Sequence, residues 1–493
     1  VAEERIWTRN GGVYLGYGVT PTQPPKSKSI LEEEWAVAQD KVHCYPNPSE
    51  PKNHGDRHLL TIGPNGSGKT RRLLIPNLFR LTDWSAVVID IKGELAALTA
   101  AYRARQPDHN LVVIDPFGVL PKNYPRLFEK HPFLASSGFN PLSLLDWKSD
   151  DFPDEAMALA EAIITVEGDE PYWAQSAQDL VAALIMYVRI AEPETGSLRD
   201  VRKLLGRSAN VFRETIPLMQ EIADAAKCPE LRLKLERFSL LTADNKELNG
   251  IISTALTQTR WIDSRPISDD LEKGKFDFGS LKKRKTTVYL ILPPRYLATH
   301  AAWLRVLITS ALMPMLRSVD DAEVPVLLML DEFAALGRVD MIEKNVALMR
   351  GYGVKLWVVL QDLAQIKTLY KDRWESFIGN AGVVQSFAPQ DMTTRDYLSR
   401  LSGQRLYWLT TGGTTDSTNL GPQSSRNVGS SENTQYLQGP VYWQQGLGAL
   451  DVGQAVLFAR GRNFRSWLPD PEDEGDLLGI RAALRQTRAD VLS

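Results

Sequence analysis

The sequence predicts an α/β protein with a mostly parallel sheet, interrupted by one all-α domain. Three observations carry this. Short apolar runs ending in Asp or Gly alternate with helical stretches from His58 onward, the strand signal vanishes between about Pro153 and Ser280, and the alternation resumes near Thr286. Strands separated by helices at this spacing point to β-α-β units, whose polar and reactive residues collect at the carboxyl ends of the strands.

Residues 1–55 read as a lead-in and linker, in which VYLGYGV suggests a small strand pair and TPTQPPKSKS is Pro-rich. Residues 56–152 supply the first part of the α/β domain. HLLTIG is a strand running into glycine and TRRLLIPNLFRL a helix; AVVID closes on Asp90, ELAALTAAYRAR is helical, and LVVID closes on Asp115. In residues 153–280, Ala177, Leu180, Val181, Leu184, Ile185 and Val188 recur at i, i+3, i+4 spacing, and NVFRETIPLMQEIADAA has the same character, which predicts the helical insert. Residues 281–468 complete the α/β domain with TVYLIL, a long apolar helix from Leu297 to Leu316, VPVLLMLDE, VKLWVVLQ, GVVQSF and QAVLFARG. Within that part, residues 410–440 offer only Leu420, Val428, Tyr436 and Leu437 as appreciable apolar side chains, too few to offset the entropy of ordering, so a mobile loop is expected. The acidic run DPEDEGD and a short amphipathic tail fill 469–493, either as a partner-binding end or as a solvating tail. No internal repeat of fixed period is present.

Composition narrows the function. The 57 Lys and Arg nearly balance 60 Asp and Glu, and 43% of residues are hydrophobic, which excludes disordered, collagen-like and disulfide-scaffold classes. A surface that coats DNA by bulk positive charge is disfavoured too, so any nucleic-acid contact must be local. Cys44 and Cys228 stand far apart and the six histidines show no ligand spacing, so no protein-built metal centre is expected. Apolar runs fall short of the roughly 18 residues that span a bilayer, which predicts a soluble chain. The opening at Val1 carries no secretory leader, and the missing Met points to a segment removed upstream.

The chemistry begins at GPNGSGKT, comprising Gly63, Pro64, Asn65, Gly66, Ser67, Gly68, Lys69 and Thr70. Its glycines let backbone amides turn toward a phosphate, Lys69 adds a point charge for the terminal phosphates, and the Thr70 hydroxyl can ligate magnesium. The loop follows a predicted strand and opens a helix, as this chemistry demands. Asp331 ends the buried run VPVLLML, where a carboxylate can hold magnesium-bound water, and Glu332 beside it can activate the attacking water as a general base. The cofactors expected are ATP and Mg2+, the metal arriving with the nucleotide. Gln361, at the end of VKLWVVLQ, reads either as a γ-phosphate sensor or as a cap. Arg350 reads either as a transition-state cation offered to a neighbouring subunit or as a solvated helix-terminal charge. Asp90, Lys92 and Glu94 admit two readings as well, coupling hydrolysis to motion or forming an internal salt bridge. The basic cluster Lys273–Lys285 is either a DNA contact or a solvated turn.

GPNGSGKT followed by IPNL, then VVIDIKGEL, VIDPFG, FNPL, YWAQSAQDLVAALIMYV, LLMLDEFAALG and RGYGVKLWVVLQDLAQI, in this order across roughly Leu59 to Gln404, resembles the conjugative coupling proteins of type IV secretion systems, the TraG/VirD-like family. The resemblance implies a RecA-like P-loop ATPase domain with an all-α domain. It also implies assembly into a hexamer, and recruitment of DNA, relaxosome proteins or effector cargo to the secretion channel. A place on the cytoplasmic face of the bacterial inner membrane follows, through an N-terminal anchor that is expected either to have been removed from this chain or to be missing because the chain is a soluble variant. By motif match, Arg350 takes the trans-acting arginine position and Gln361 the sensor position. The rivals are a nucleotide-stabilised recruitment platform with no motor role and a helicase or packaging motor on the same core.

Overall fold

The computed structural model describes residues 13–21, 35–45, 57–166, 171–240, 246–317, 319, 322–419, 425–459, 461–472 and 481–492. In chain order the strands are β1 (Val13–Pro21), β2 (Trp35–Tyr45), β3 (His58–Ile62), β4 (Ser85–Asp90), β5 (Asn110–Ile114), β6 (Thr286–Ile291), β7 (Val326–Leu330), β8 (Val354–Leu360), β9 (Ala381–Phe387), β10 (Gln404–Asn419), β11 (Ser425–Pro440), β12 (Gln454–Ala459) and β13 (Arg462–Trp467). Eleven of them form one sheet in the order β2-β1-β13-β12-β9-β3-β8-β7-β4-β6-β5. From β9 to β5 every pairing is parallel, and from β9 outward to β2 every pairing is antiparallel.

The parallel strands are apolar on both faces because helices cover both. Every residue of β3, β4, β6, β7 and β8 is buried, as crossover helices require. Arg103 shows how tightly the layers are tied. It is 0% exposed, and its guanidinium donates to Thr287 Oγ1 at 2.5 Å, to the Leu78 carbonyl at 2.7 Å and to the Trp84 carbonyl at 2.8 Å. A buried cation survives only with such complete pairing.

Between β5 and β6 the described residues are helical or irregular, with no strand. The helix Pro171–Ala191 runs through the middle of this insert with Ala177, Leu180, Val181, Leu184, Ile185 and Val188 all buried, the positions that set its periodicity. Helix Leu198–Leu205 starts at a capping box between Ser197 and Asp200, and helix Ala209–Ala225 starts where Ser208 accepts from the Val211 amide. The apolar helix Leu297–Met315 packs on helix Phe152–Ile163, joining the insert to the sheet.

Two segments differ from expectation. The lead-in does more than link: β1 pairs with β13 and carries β2 outside it, so both strands extend the main sheet; the linker residues 22–29 lie outside the described residues. Where a mobile loop is expected at 410–440, β10 and β11 instead pair as a two-stranded antiparallel ribbon from Gln404↔Pro440 to Asn419↔Ser425. Hydrophobic content is the wrong signal for such a ladder, whose bonds are between backbones. The Thr-rich composition suits extended conformation, and Tyr407 closes the base by donating its hydroxyl to the Pro440 carbonyl.

Candidate active site

The parallel strands all point their carboxyl ends the same way, so the residues that follow them share one edge of the sheet. A cavity of about 1160 Å³ opens there, lined by Pro64 to Arg71, Asp90 to Lys92, Asp331, Glu332, Gln361 and neighbours.

The phosphate loop leaves the sheet where the Gly63 amide donates to Leu360 at 3.0 Å. Gly66 (φ 79°) and Gly68 (φ 89°) take left-handed conformations that only glycine adopts without cost. At Gly63 a Cβ would stand 2.9 Å from Ser67 Oγ and 3.0 Å from Phe387 Cβ, so a side chain there would fill the cradle. Lys69, only 6% exposed, turns back across the loop and donates to the Gly63 carbonyl and, at 3.1 Å, to the Pro64 carbonyl. Burial pushes its pKa down, against the opposing pull of Glu332 and Asp331. Ser67 Oγ is buried with no hydrogen-bond partner among the described residues. A loop with an orphaned hydroxyl and a lysine spending its protons on its own carbonyls fits an anionic group in its bowl.

Across the cavity, Asp331 and Glu332 follow β7. Burial, then the neighbouring Glu332, raises the Asp331 pKa to about 6, with Lys69 pulling the other way. Asp331 and the Thr70 hydroxyl, which line the same cavity, offer the oxygen donors that a hard cation takes. Glu332 sits at φ 51°, ψ 43°, a left-handed backbone that a non-glycine residue holds at a cost of order 1–3 kcal/mol. Its carboxylate is fixed from β8: Gln361 Nε2 donates to Glu332 Oε2 at 2.9 Å, while the Gln361 amide is held by Gln365 Oε1 at 3.2 Å. The strained turn and this bond together aim Glu332 into the cavity.

Asp90 and Asp115 end similar strands and cap similar helices, Asp90 accepting from the Ala96 amide at 2.7 Å and Asp115 from Val119 and Leu120 at 2.9 Å each. Only Asp90 lines the cavity. Its strand β4 lies beside β7, whereas β5 is at the far edge. Burial raises the Asp90 pKa to about 7. Lys92 and Glu94 line the cavity with it.

Arg350 does not line this cavity. It is exposed in the turn Met349–Tyr352 that precedes β8, so the whole strand separates it from Gln361, about 23 Å at roughly 3.3 Å per residue. The sequence also passes over Arg71, which follows Thr70 along the cavity wall. Nothing in the local motif signals it, because its partners lie near the other end of the chain. Among the described residues no cluster of three or more His, Cys, Asp or Glu could hold a metal, and no helix is long and apolar enough to cross a membrane.

A phosphate loop after one strand, an acidic pair after a second and a glutamine after a third, on one edge of a parallel sheet, define a RecA-like P-loop fold. The chain belongs to the type IV secretory system conjugative DNA transfer family, whose model matches residues 25–463. It is 24% identical over 404 residues to a conjugal transfer protein TraG of Escherichia coli, covering 78% of this chain and 60% of that one. It is 22% identical over 478 residues to the type IV secretion system-coupling protein VirD4 of Bartonella henselae, covering 89% and 71%. The chain thus spans about 60% of the length of its TraG relative. Among solved structures, the bacterial conjugative coupling protein TrwBdeltaN70 in its unbound monoclinic form superposes with a TM-score of 0.62 at 13% identity, covering 92% of this chain and 93% of that one. The plasmid coupling protein TrwB in complex with ADP and Mg2+ gives 0.61 at 14% identity, covering 96% and 98%.

Proposed function

We propose that this chain is the ATP-hydrolysing part of a conjugative coupling protein, which recruits DNA or protein cargo and drives it toward a type IV secretion channel. The observation that carries the reading is the convergence of Lys69, Asp331, Glu332 and Gln361 on one cavity behind the phosphate loop. Family membership supports the transfer role, and the relatives of known structure include TrwB bound to an ATP analogue and to ADP with Mg2+.

In this reading Gly63 to Thr70 enclose the phosphates with backbone amides, and Lys69 exchanges its bonds to the Gly63 and Pro64 carbonyls for the terminal phosphates. The Thr70 hydroxyl and Asp331 would hold Mg2+, which when bound would neutralise phosphate charge. Glu332 takes a proton from the attacking water, and Gln361 keeps that carboxylate aimed. Arg350, outside its own chain's cavity, serves the site of an adjoining copy in a ring, six-membered by family resemblance. Such a ring gathers a few basic side chains from each copy around one strand, which reconciles a mildly acidic chain with DNA handling. The proposed location is the cytoplasmic face of the inner membrane.

The test is ATP turnover by mixed variants. Lys69→Ala and Arg350→Ala should each be inactive, and mixing them should restore turnover, because some interfaces then combine an intact Lys69 with an intact Arg350. Mixtures as inactive as their components would remove the shared site.

A further inference from the structure

The acidic run near the C-terminus is not a solvated tail where it follows β13. Asp470 is 5% exposed, and its Oδ2 lies 2.7 Å from Arg71 Nε and 3.9 Å from Arg72 Nη2. Glu472 Oε2 lies 3.3 Å from Arg71 Nη2 and also pairs with Arg488. Arg72 Nη1 donates to the Leu468 carbonyl at 2.7 Å, and the Leu468 amide donates to Gly453 at 2.7 Å. At Gly453 a Cβ would stand 3.0 Å from Arg72 Nη1, so the absence of a side chain there leaves the arginine its path. Arg488 belongs to helix Arg481–Leu492, which packs on helices Glu94–Ala104 and Pro125–Lys130 and buries Leu484.

A surface ion pair contributes little, but a carboxylate as buried as Asp470 costs heavily unless it is paired. The pairing therefore fixes Arg71 as much as it anchors the chain. Arg71 directly follows Thr70 and lines the cavity with its side chain 42% exposed. The direction in which it is drawn is informative. Asp331 follows a strand two places from β3 on one side, through β8 to β7, whereas Asp470 follows β13, three places away on the other. Arg71 is thus drawn away from the acidic pair, and a triphosphate whose terminal phosphates face Asp331 and Glu332 would turn its nucleoside end toward the Arg71 side. A guanidinium plane held on two carboxylates can stack flat on a base, as a lysine ammonium cannot.

We propose that Arg71 is a nucleoside-contacting residue and that Asp470 and Glu472 are its positioning residues. This rests on the nucleotide-binding reading above and adds to it the residues that read the nucleoside.

The experiment measures dissociation constants of the full chain for ATP and for inorganic tripolyphosphate, each with Mg2+, by calorimetry. For Arg71→Ala, Arg71→Lys and Asp470→Asn, ATP affinity should fall about fivefold to tenfold, while tripolyphosphate affinity stays within about twofold. The double variant Arg71→Ala, Asp470→Asn should be no weaker than Arg71→Ala alone, because both changes remove one interaction. ATP affinity unchanged in Arg71→Lys and Asp470→Asn, or equal losses for both ligands, would overturn the proposal, the second outcome marking a general disturbance of the phosphate loop. Glu472→Gln, more exposed and less demanding of the fold, should weaken ATP in the same selective way. If Asp470→Asn fails to fold, Arg71→Lys and Glu472→Gln decide. A wild-type chain that binds neither ligand overturns the nucleotide reading itself, and this one with it.

Discussion

The parallel half of the sheet and its antiparallel flank solve different problems. From β3 to β6 the strands are buried on both faces, and the chain leaving their carboxyl ends carries Lys69 after β3, Asp90 at the end of β4, Asp331 and Glu332 after β7, and Gln361 after β8. Among the described residues, the flank of β12, β13, β1 and β2 contributes no such strand-end group to the cavity. It delivers the chain to Asp470 and Glu472, which act on the cavity through Arg71. Chemistry is local on one side and borrowed from a distance on the other. Substitutions in the two halves should therefore fail differently.

The largest effect is expected from Lys69→Ala, which removes the buried charge of the phosphate loop. Turnover should drop about 100-fold to 1,000-fold, a typical loss for one preorganised charge, in a steady-state phosphate-release assay. Next comes the packing contrast. Leu328→Ala, in the middle of fully buried β7, should cost about 2–5 kcal/mol of unfolding free energy, whereas Leu406→Ala in the β10–β11 ribbon, where Leu406 is 67% exposed, should stay within about 0.5 kcal/mol. Denaturant melts of the two variants compare the scaffold with the ribbon directly. Gln361→Ala should then lower kcat about tenfold with little change in KM, since Glu332 loses its aim while the loop that binds phosphate is untouched.

The smallest effect is a pH dependence that runs in opposite directions for stability and activity. Asp331 and Asp90 keep their protons up to about 6 and about 7 in the folded chain, against 3.8 when free. The folded state binds more protons across that window, so stability falls as pH rises from about 4 to about 7. The nucleotide-free chain should melt higher near pH 5.5 than near pH 7.5, and Asp331→Asn should shrink the difference. Turnover at limiting Mg2+ should instead fall as pH drops through about 6, because the cation must displace the Asp331 proton.

Much of the catalytic half is legible in the amino-acid sequence. The strands around GPNGSGKT and LLMLDEF are readable because a buried parallel strand writes itself as an unbroken apolar run, and Asp331, Glu332 and Gln361 each fall close behind one. Asp90 and Asp115 look alike in sequence, and only the strand order separates them, because β4 adjoins β7 and β5 does not. The ribbon of β10 and β11 escapes such reading because apolar content says nothing about a backbone ladder. The clamp on Arg71 escapes it for a different reason: Arg71 and Glu472 are 401 residues apart, and an ion pair leaves no periodic trace at that distance.

The most direct test of the account is Glu332→Gln, measured for ATP binding and ATP turnover on the same preparation. The carboxylate that takes the proton is replaced by an isosteric amide, and the phosphate loop is left intact. Nucleotide affinity should stay within about threefold of the parent while turnover falls at least about 100-fold. Turnover at the parental rate would contradict the assignment of hydrolysis to this cavity.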